Sequence, residues 1–100
     1  MPTASRPSII FATLGWVAAL GTVFENGAFW FLCHSRELSF EPPHVHVKVD
    51  RGQEARICLI DDEWLDPKPP KAADAMKMYH QNKALCVAAW NKMHPRREIV

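Results

Sequence analysis

Apolar and polar positions divide the chain into three stretches. From Pro7 through Phe24 there is no charged residue, and Ile9, Ile10, Phe11, Leu14, Trp16 and Val17 make this stretch strongly apolar. A membrane-spanning helix needs about 20 apolar residues, so the length is marginal, and Gly15 and Gly21 weaken a helix. Segment 1–21 therefore reads as an apolar extension, either a helix docked on the domain or a piece outside the fold. A membrane or export signal is the alternative, with Arg6 as a thin basic leader and Ala19-Leu20-Gly21 as a loose cleavage site.

From Asn26 the period changes to that of strands. Asn26-Gly27 is a turn signal, and Ala28 to Cys33 is a short aromatic-rich apolar run, which predicts a strand covered on both faces. His34 to Pro43 is polar and ends in two prolines, which force an extended approach. Val45, Val47 and Val49 then alternate with His44, His46, Lys48 and Asp50, so the valines share one face and the histidines the other. Ala55, Ile57 and Leu59 repeat the pattern. Matching these two apolar faces requires an odd-numbered loop, because a one-residue slip buries His46 and Lys48. A loop of Arg51-Gly52-Gln53 sets Val49 opposite Ala55, Val47 opposite Ile57 and Val45 opposite Leu59. It also sets Lys48 opposite Arg56 and Asp50 opposite Glu54, two unfavourable like-charge pairs.

The last third is helical. Pro67, Pro69 and Pro70 close a loop and lead into a stripe of Ala72, Met76 and Tyr79. Asn82 is a break and cap. Leu85, Ala88 and Ala89 form a second stripe, with Cys86, Trp90 and Met93 beside it, and Pro95 ends it. The spacing predicts helices over about 70–81 and 83–93, with Trp90 as a core anchor. The fold class is α+β: a small antiparallel sheet of about three strands, two C-terminal helices packed on one face, and the N-terminal apolar extension. Residues 22–94 form the domain and 95–100 a tail.

Composition narrows the function classes. One hundred residues, 48% hydrophobic and 23% charged, suit a single globular core. A formal charge of +1 excludes a strongly basic nucleic-acid sleeve. The charge is uneven, with Asp61, Asp62, Glu63 and Asp66 in one acidic run and a basic excess from Lys68 onward. Three well-separated cysteines, Cys33, Cys58 and Cys86, provide neither a Cys-x-x-Cys pair nor an even disulfide count, which implies reduced, buried thiols.

The chemistry-bearing motif is Pro42-Pro43-His44-Val45-His46-Val47. Two imidazoles two residues apart project from the same strand face, and three readings compete. They hold zinc or iron with His34, Glu41 or Glu54 as a third ligand. They act as acid and base on a phosphodiester, with Arg36, Lys48 or Arg56 stabilising the phosphoryl charge. Or they are exposed strand residues or line a partner surface. No phosphate-binding glycine loop, metalloprotease helix or nucleophile elbow is present.

Thr22-Val23-Phe24, Phe29-Trp30-Phe31-Leu32, Ser35-Arg36-Glu37 and Glu41-Pro42-Pro43-His44-Val45-His46-Val47 together resemble the bacterial family called domain of unknown function 4160. Gly52 to Leu59 is similar to its next strand and Ala89-Trp90-Asn91 to its closing helix, so the likeness covers residues 22–94. It implies a compact α+β protein of the bacterial cytoplasm, with residues 1–21 as an extension or a misplaced start. It also implies a toxin–antitoxin-type setting with a small cognate protein partner, of the kind called domain of unknown function 2442. Cys33, Cys58 and the acidic run depart from the family's usual pattern, and the family has no established catalytic residue to carry over.

Two functions are expected from these residues. One is a toxin–antitoxin component acting on RNA or another translation target. It would be a metal-independent, ribonuclease-like activity without a cofactor. His44, His46 and Arg36 would be catalytic, and Glu37, Lys48, Glu54 and Arg56 would bind. The other is a non-catalytic protein-binding module, with the His-x-His metal site as a further variant.

Overall fold

The computed structural model describes residues 20–35, 37, 40–50 and 52–99. Four strands, β1 (Leu20–Asn26), β2 (Phe29–His34), β3 (His44–Val49) and β4 (Gln53–Cys58), are followed by α1 (Ala72–Gln81) and α2 (Lys83–Met93). The sheet is an antiparallel meander in the order β1-β2-β3-β4. The α+β class expected from the sequence is the one observed, but the strand count is four rather than three. β1 begins at Leu20, inside the stretch assigned to the extension. The uncharged run crosses Gly21 with no change of polarity, so periodicity alone left its start unmarked. The rest of that stretch, 1–19, lies outside the described residues.

Asn26 pairs with Phe29 across a two-residue turn. Gly27 there has φ of 60°, a left-handed conformation that glycine adopts without a Cβ clash. β2 is the covered strand its composition predicts: Phe31, Leu32 and Cys33 are all buried. Phe31 also stacks on Phe24 of β1 at 4.3 Å.

The β3–β4 hairpin keeps the expected parity but slides by two residues. Val47 faces Ala55, Val45 faces Ile57 and Val49 faces Gln53, while Leu59 lies beyond the strand. The loop is still three residues long, 50–52, with Asp50 at φ 50°. Aspartate tolerates that region because its short side chain bonds locally. The slide removes the like-charge pairs: Lys48 now faces Glu54, and His46 faces Arg56.

The helices pack on the valine face. Val45, Val47, Val49 and Ile57 form one cluster with Ala75 and Tyr79 of α1 and Cys86 and Trp90 of α2. The inward stripes are rotated from those expected. Ala75 and Tyr79 are the buried residues of α1, with Ala72 and Met76 half-buried. In α2 the buried pair is Cys86 and Trp90, while Leu85 is 51% exposed. The indole, with more apolar surface than leucine, takes the inner position. Asn82 breaks the helices as expected, but its side chain caps the first helix by donating to the Met78 carbonyl at 2.9 Å. It makes no side-chain bond to the start of α2.

The acidic run is stitched to its surroundings. Ile57 and Trp64 form a bridge along the outer edge of β4, and Asp62 accepts hydrogen bonds from Tyr79 at 2.6 Å and Lys83 at 2.8 Å. All three cysteines are free and buried. Burial first, then the charge of Glu37, pushes the Cys33 thiol up to about 11. Burial likewise pushes Cys86 up to about 12. Among the described residues no helix is long and apolar enough to cross a membrane.

Candidate metal centre

The site forms where β2 ends and β3 begins. Antiparallel register sets Leu32 opposite His46, so His34, two residues on, lies diagonal to His46 on the same face. The rings of His34 and His46 approach to 4.2 Å, and those of His44 and His46 to 5.0 Å. The slide of the hairpin places Glu54 diagonal to His46 on the other side. The connection between β2 and β3 supplies Glu37 from above the histidines.

His46 lies between two carboxylates. Its Nδ1 lies 2.7 Å from a Glu54 carboxylate oxygen and its Nε2 2.8 Å from a Glu37 oxygen, hydrogen-bond distances in both cases. His44 is fully buried, against Trp90 at 5.6 Å between ring centroids. Its Nδ1 donates to the Pro42 carbonyl at 2.7 Å. That bond places the proton on Nδ1, so the neutral ring offers a lone pair at Nε2. Nε2 makes no hydrogen bond, yet it lies 3.2 Å from the same Glu37 oxygen that meets His46. His34 Nε2 is likewise buried without a partner.

These contacts set the local charge. Burial raises the Glu37 carboxyl, but the hydrogen bond from His46 and the neighbouring His44, His46 and His34 outweigh it and hold Glu37 below its usual range. Burial, followed by repulsion from His46, pushes His34 down, which favours a neutral imidazole.

Two groups of donors lie close enough to share one ion: His34, Glu37 and His46, and Glu37, Glu41 and His44. Bonds of roughly 2.0–2.1 Å at octahedral or tetrahedral angles put neighbouring donor atoms about 2.9–3.4 Å apart. The separations of 2.8 and 3.2 Å from Glu37 to His46 and His44 are close to that span. The nitrogen–oxygen donor set, without thiolate, suits zinc, iron or manganese.

The residues singled out from sequence fall into three groups. His44, His46, Glu37 and Glu54 come together, as does His34, which sequence reasoning weighed only as an extra ligand. The expectation of two open imidazoles fails for His44, because the connection carrying Glu37 and the indole of Trp90 close over it. The two basic candidates among the described residues, Arg56 and Lys48, are engaged by other groups. Arg56 is held by Asp66 through its backbone N–H, Nε and Nη2, and by Glu41 at 2.6 Å. The hydrogen bond to Asp66, first among several carboxylate contacts, raises its pKa further. Lys48 lies over the Trp30 ring at 5.2 Å, and Arg36 lies outside the described residues.

Sequence reasoning missed the Pro42 carbonyl, His94 and Arg97. The one available signal was His34 closing an otherwise apolar strand. Comparison of the chain with protein-family models, curated proteins and solved structures found no match.

Proposed function

We propose that this protein is a His-x-His metal-binding domain that takes one divalent transition-metal ion through His34, His44, His46 and Glu37. The observation that carries the reading is the buried Nε2 of His44. It has its tautomer set from behind by Pro42, no hydrogen-bond partner, and a carboxylate 3.2 Å in front. With a neutral ring that lone pair faces an acceptor, which is unfavourable in a low-dielectric interior, and either a proton on the ring or a metal ion between the two relieves it. The approach of His34 and His46 to the same carboxylate favours the metal ion. Glu54 behind His46 and the carbonyl behind His44 are the outer partners that metal-bound imidazoles ordinarily have.

Charge decides between this reading and phosphodiester cleavage. Glu37, Glu41 and Glu54 lie about the histidines, while Arg56 is engaged by two carboxylates and Arg97 by the Glu41 carbonyl and the face of Trp90. This arrangement attracts a cation and repels a phosphate.

The test is zinc titration of metal-stripped protein, read by calorimetry and by elemental analysis after desalting. One equivalent is expected to bind, and His44→Ala and Glu37→Gln should each abolish stoichiometric retention. Retention below a tenth of an equivalent by the unmutated chain, for zinc, iron and manganese alike, overturns the reading.

A further inference from the structure

The residues after α2 reach back to the loop that carries the ligands. The His94 ring stacks on Trp90 at 3.8 Å, and its Nε2 donates to the backbone carbonyl of His34 at 2.6 Å. Arg97 donates from Nη2 to the backbone carbonyl of Glu41 and lies over the same indole at 5.2 Å. The indole N–H in turn donates to the Arg97 carbonyl at 2.9 Å. Asn91 fastens the end, donating to the Ile99 carbonyl at 3.1 Å and accepting from its N–H at 2.7 Å. Residues 94–99 are thus tied to the domain rather than trailing from it as a tail.

The two carbonyls so held bracket the segment that supplies Glu37. His34 precedes it and is itself a ligand, and Glu41 follows it beside His44. A connection between strands has many conformations, whereas a metal needs its donors within about 0.5 Å of their places. Trp90, fully buried, is the rigid post from which this strap acts.

We infer that His94 and Arg97 are positioning residues for the metal centre: they grip the backbone at both ends of the 34–41 segment and hold His34 and Glu37 in coordinating geometry. This inference rests on the metal reading above. Neither side chain supplies a ligand atom. Both act through main-chain carbonyls, so neither leaves a ligand motif in the sequence.

Two substitutions of one residue separate positioning from packing. His94→Phe keeps a ring on Trp90 and removes the donor, whereas His94→Gln keeps an N–H at a similar reach. His94→Phe should weaken Zn²⁺ binding about tenfold, as loss of an outer-shell partner does, and His94→Gln should return it to within about threefold. The visible spectrum of bound Co²⁺ should change in the first variant and revert in the second, while the metal-free thermal midpoint of His94→Phe, which keeps the ring on Trp90, is no lower than that of His94→Gln. Wild-type Zn²⁺ affinity in His94→Phe overturns the inference. So does equal loss of affinity in both variants accompanied by loss of metal-free stability. If His94→Phe does not fold, Arg97→Ala takes its place: an affinity loss of about tenfold supports the inference and an unchanged affinity overturns it. A native chain that binds no Zn²⁺ removes the metal reading itself, a result distinct from a native chain that binds alongside a variant that binds equally well.

Discussion

His46 shows how single residues divide the labour at this site. One ring nitrogen faces Glu37, the carboxylate expected to share the ion, and the other faces Glu54, which is 37% exposed at its side chain. Glu54 hydrogen-bonds His46 and belongs to neither group of donors close enough to share an ion, which gives it the role of orienting the ring. Glu54→Ala should therefore lower zinc affinity about tenfold and leave the stoichiometry at one, because outer-shell partners tune a site without forming it. Competition with a chromophoric chelator measures this directly. A loss of stoichiometry would instead make Glu54 a ligand.

Among the elements, β4 is held by contacts outside the sheet ladder. Its outer edge is closed by the bridge from Ile57 to Trp64 and by Asp66, which accepts three hydrogen bonds from Arg56. Covering an edge in this way hides backbone groups that otherwise invite another chain to pair. The hydrogen bond from the Arg56 guanidinium, despite partial burial, holds the Asp66 carboxyl below its ordinary value. The sign follows from linkage. A depressed folded-state value stabilises the fold at pH above the unfolded value and loses that contribution as pH falls through the folded one. Acid unfolding of the native chain should steepen below about pH 4. Asp66→Asn should lower stability at neutral pH and flatten that acid limb, as urea melts at a series of pH values will show. An unchanged acid limb would remove Asp66 from the account.

At the scale of the whole molecule, the proposed ligands come from three parts of the chain: the end of β2, the connection after it, and β3. An unfolded chain does not bring them together, so an ion that binds the native state stabilises the fold by mass action. Zinc at a hundredfold its Kd should add about 2.7 kcal/mol. For a domain of this size that raises Tm by roughly 10–20 °C. Differential scanning fluorimetry with and without a chelator measures the shift, and a native Tm indifferent to zinc would count against convergence on one ion.

The chain's own pattern determined the period-two faces of β3 and β4, the covered β2, the two helices with their break at Asn82, and Trp90 as the anchor. Each of these follows from spacing within a few residues, where the period of a strand or helix dictates which side chains share a face. β1 was hidden because its polarity does not differ from that of the apolar residues before it. Tertiary structure decided the rest. The two-residue slide of the hairpin, which relieves like-charge pairing and brings Glu54 to His46, depends on energies across strands. So does the burial of His44 beneath Glu37 and Trp90. The grip of His94 and Arg97 on carbonyls about 60 positions away follows no local period, because a main-chain acceptor is the same at every residue and only packing brings it within reach.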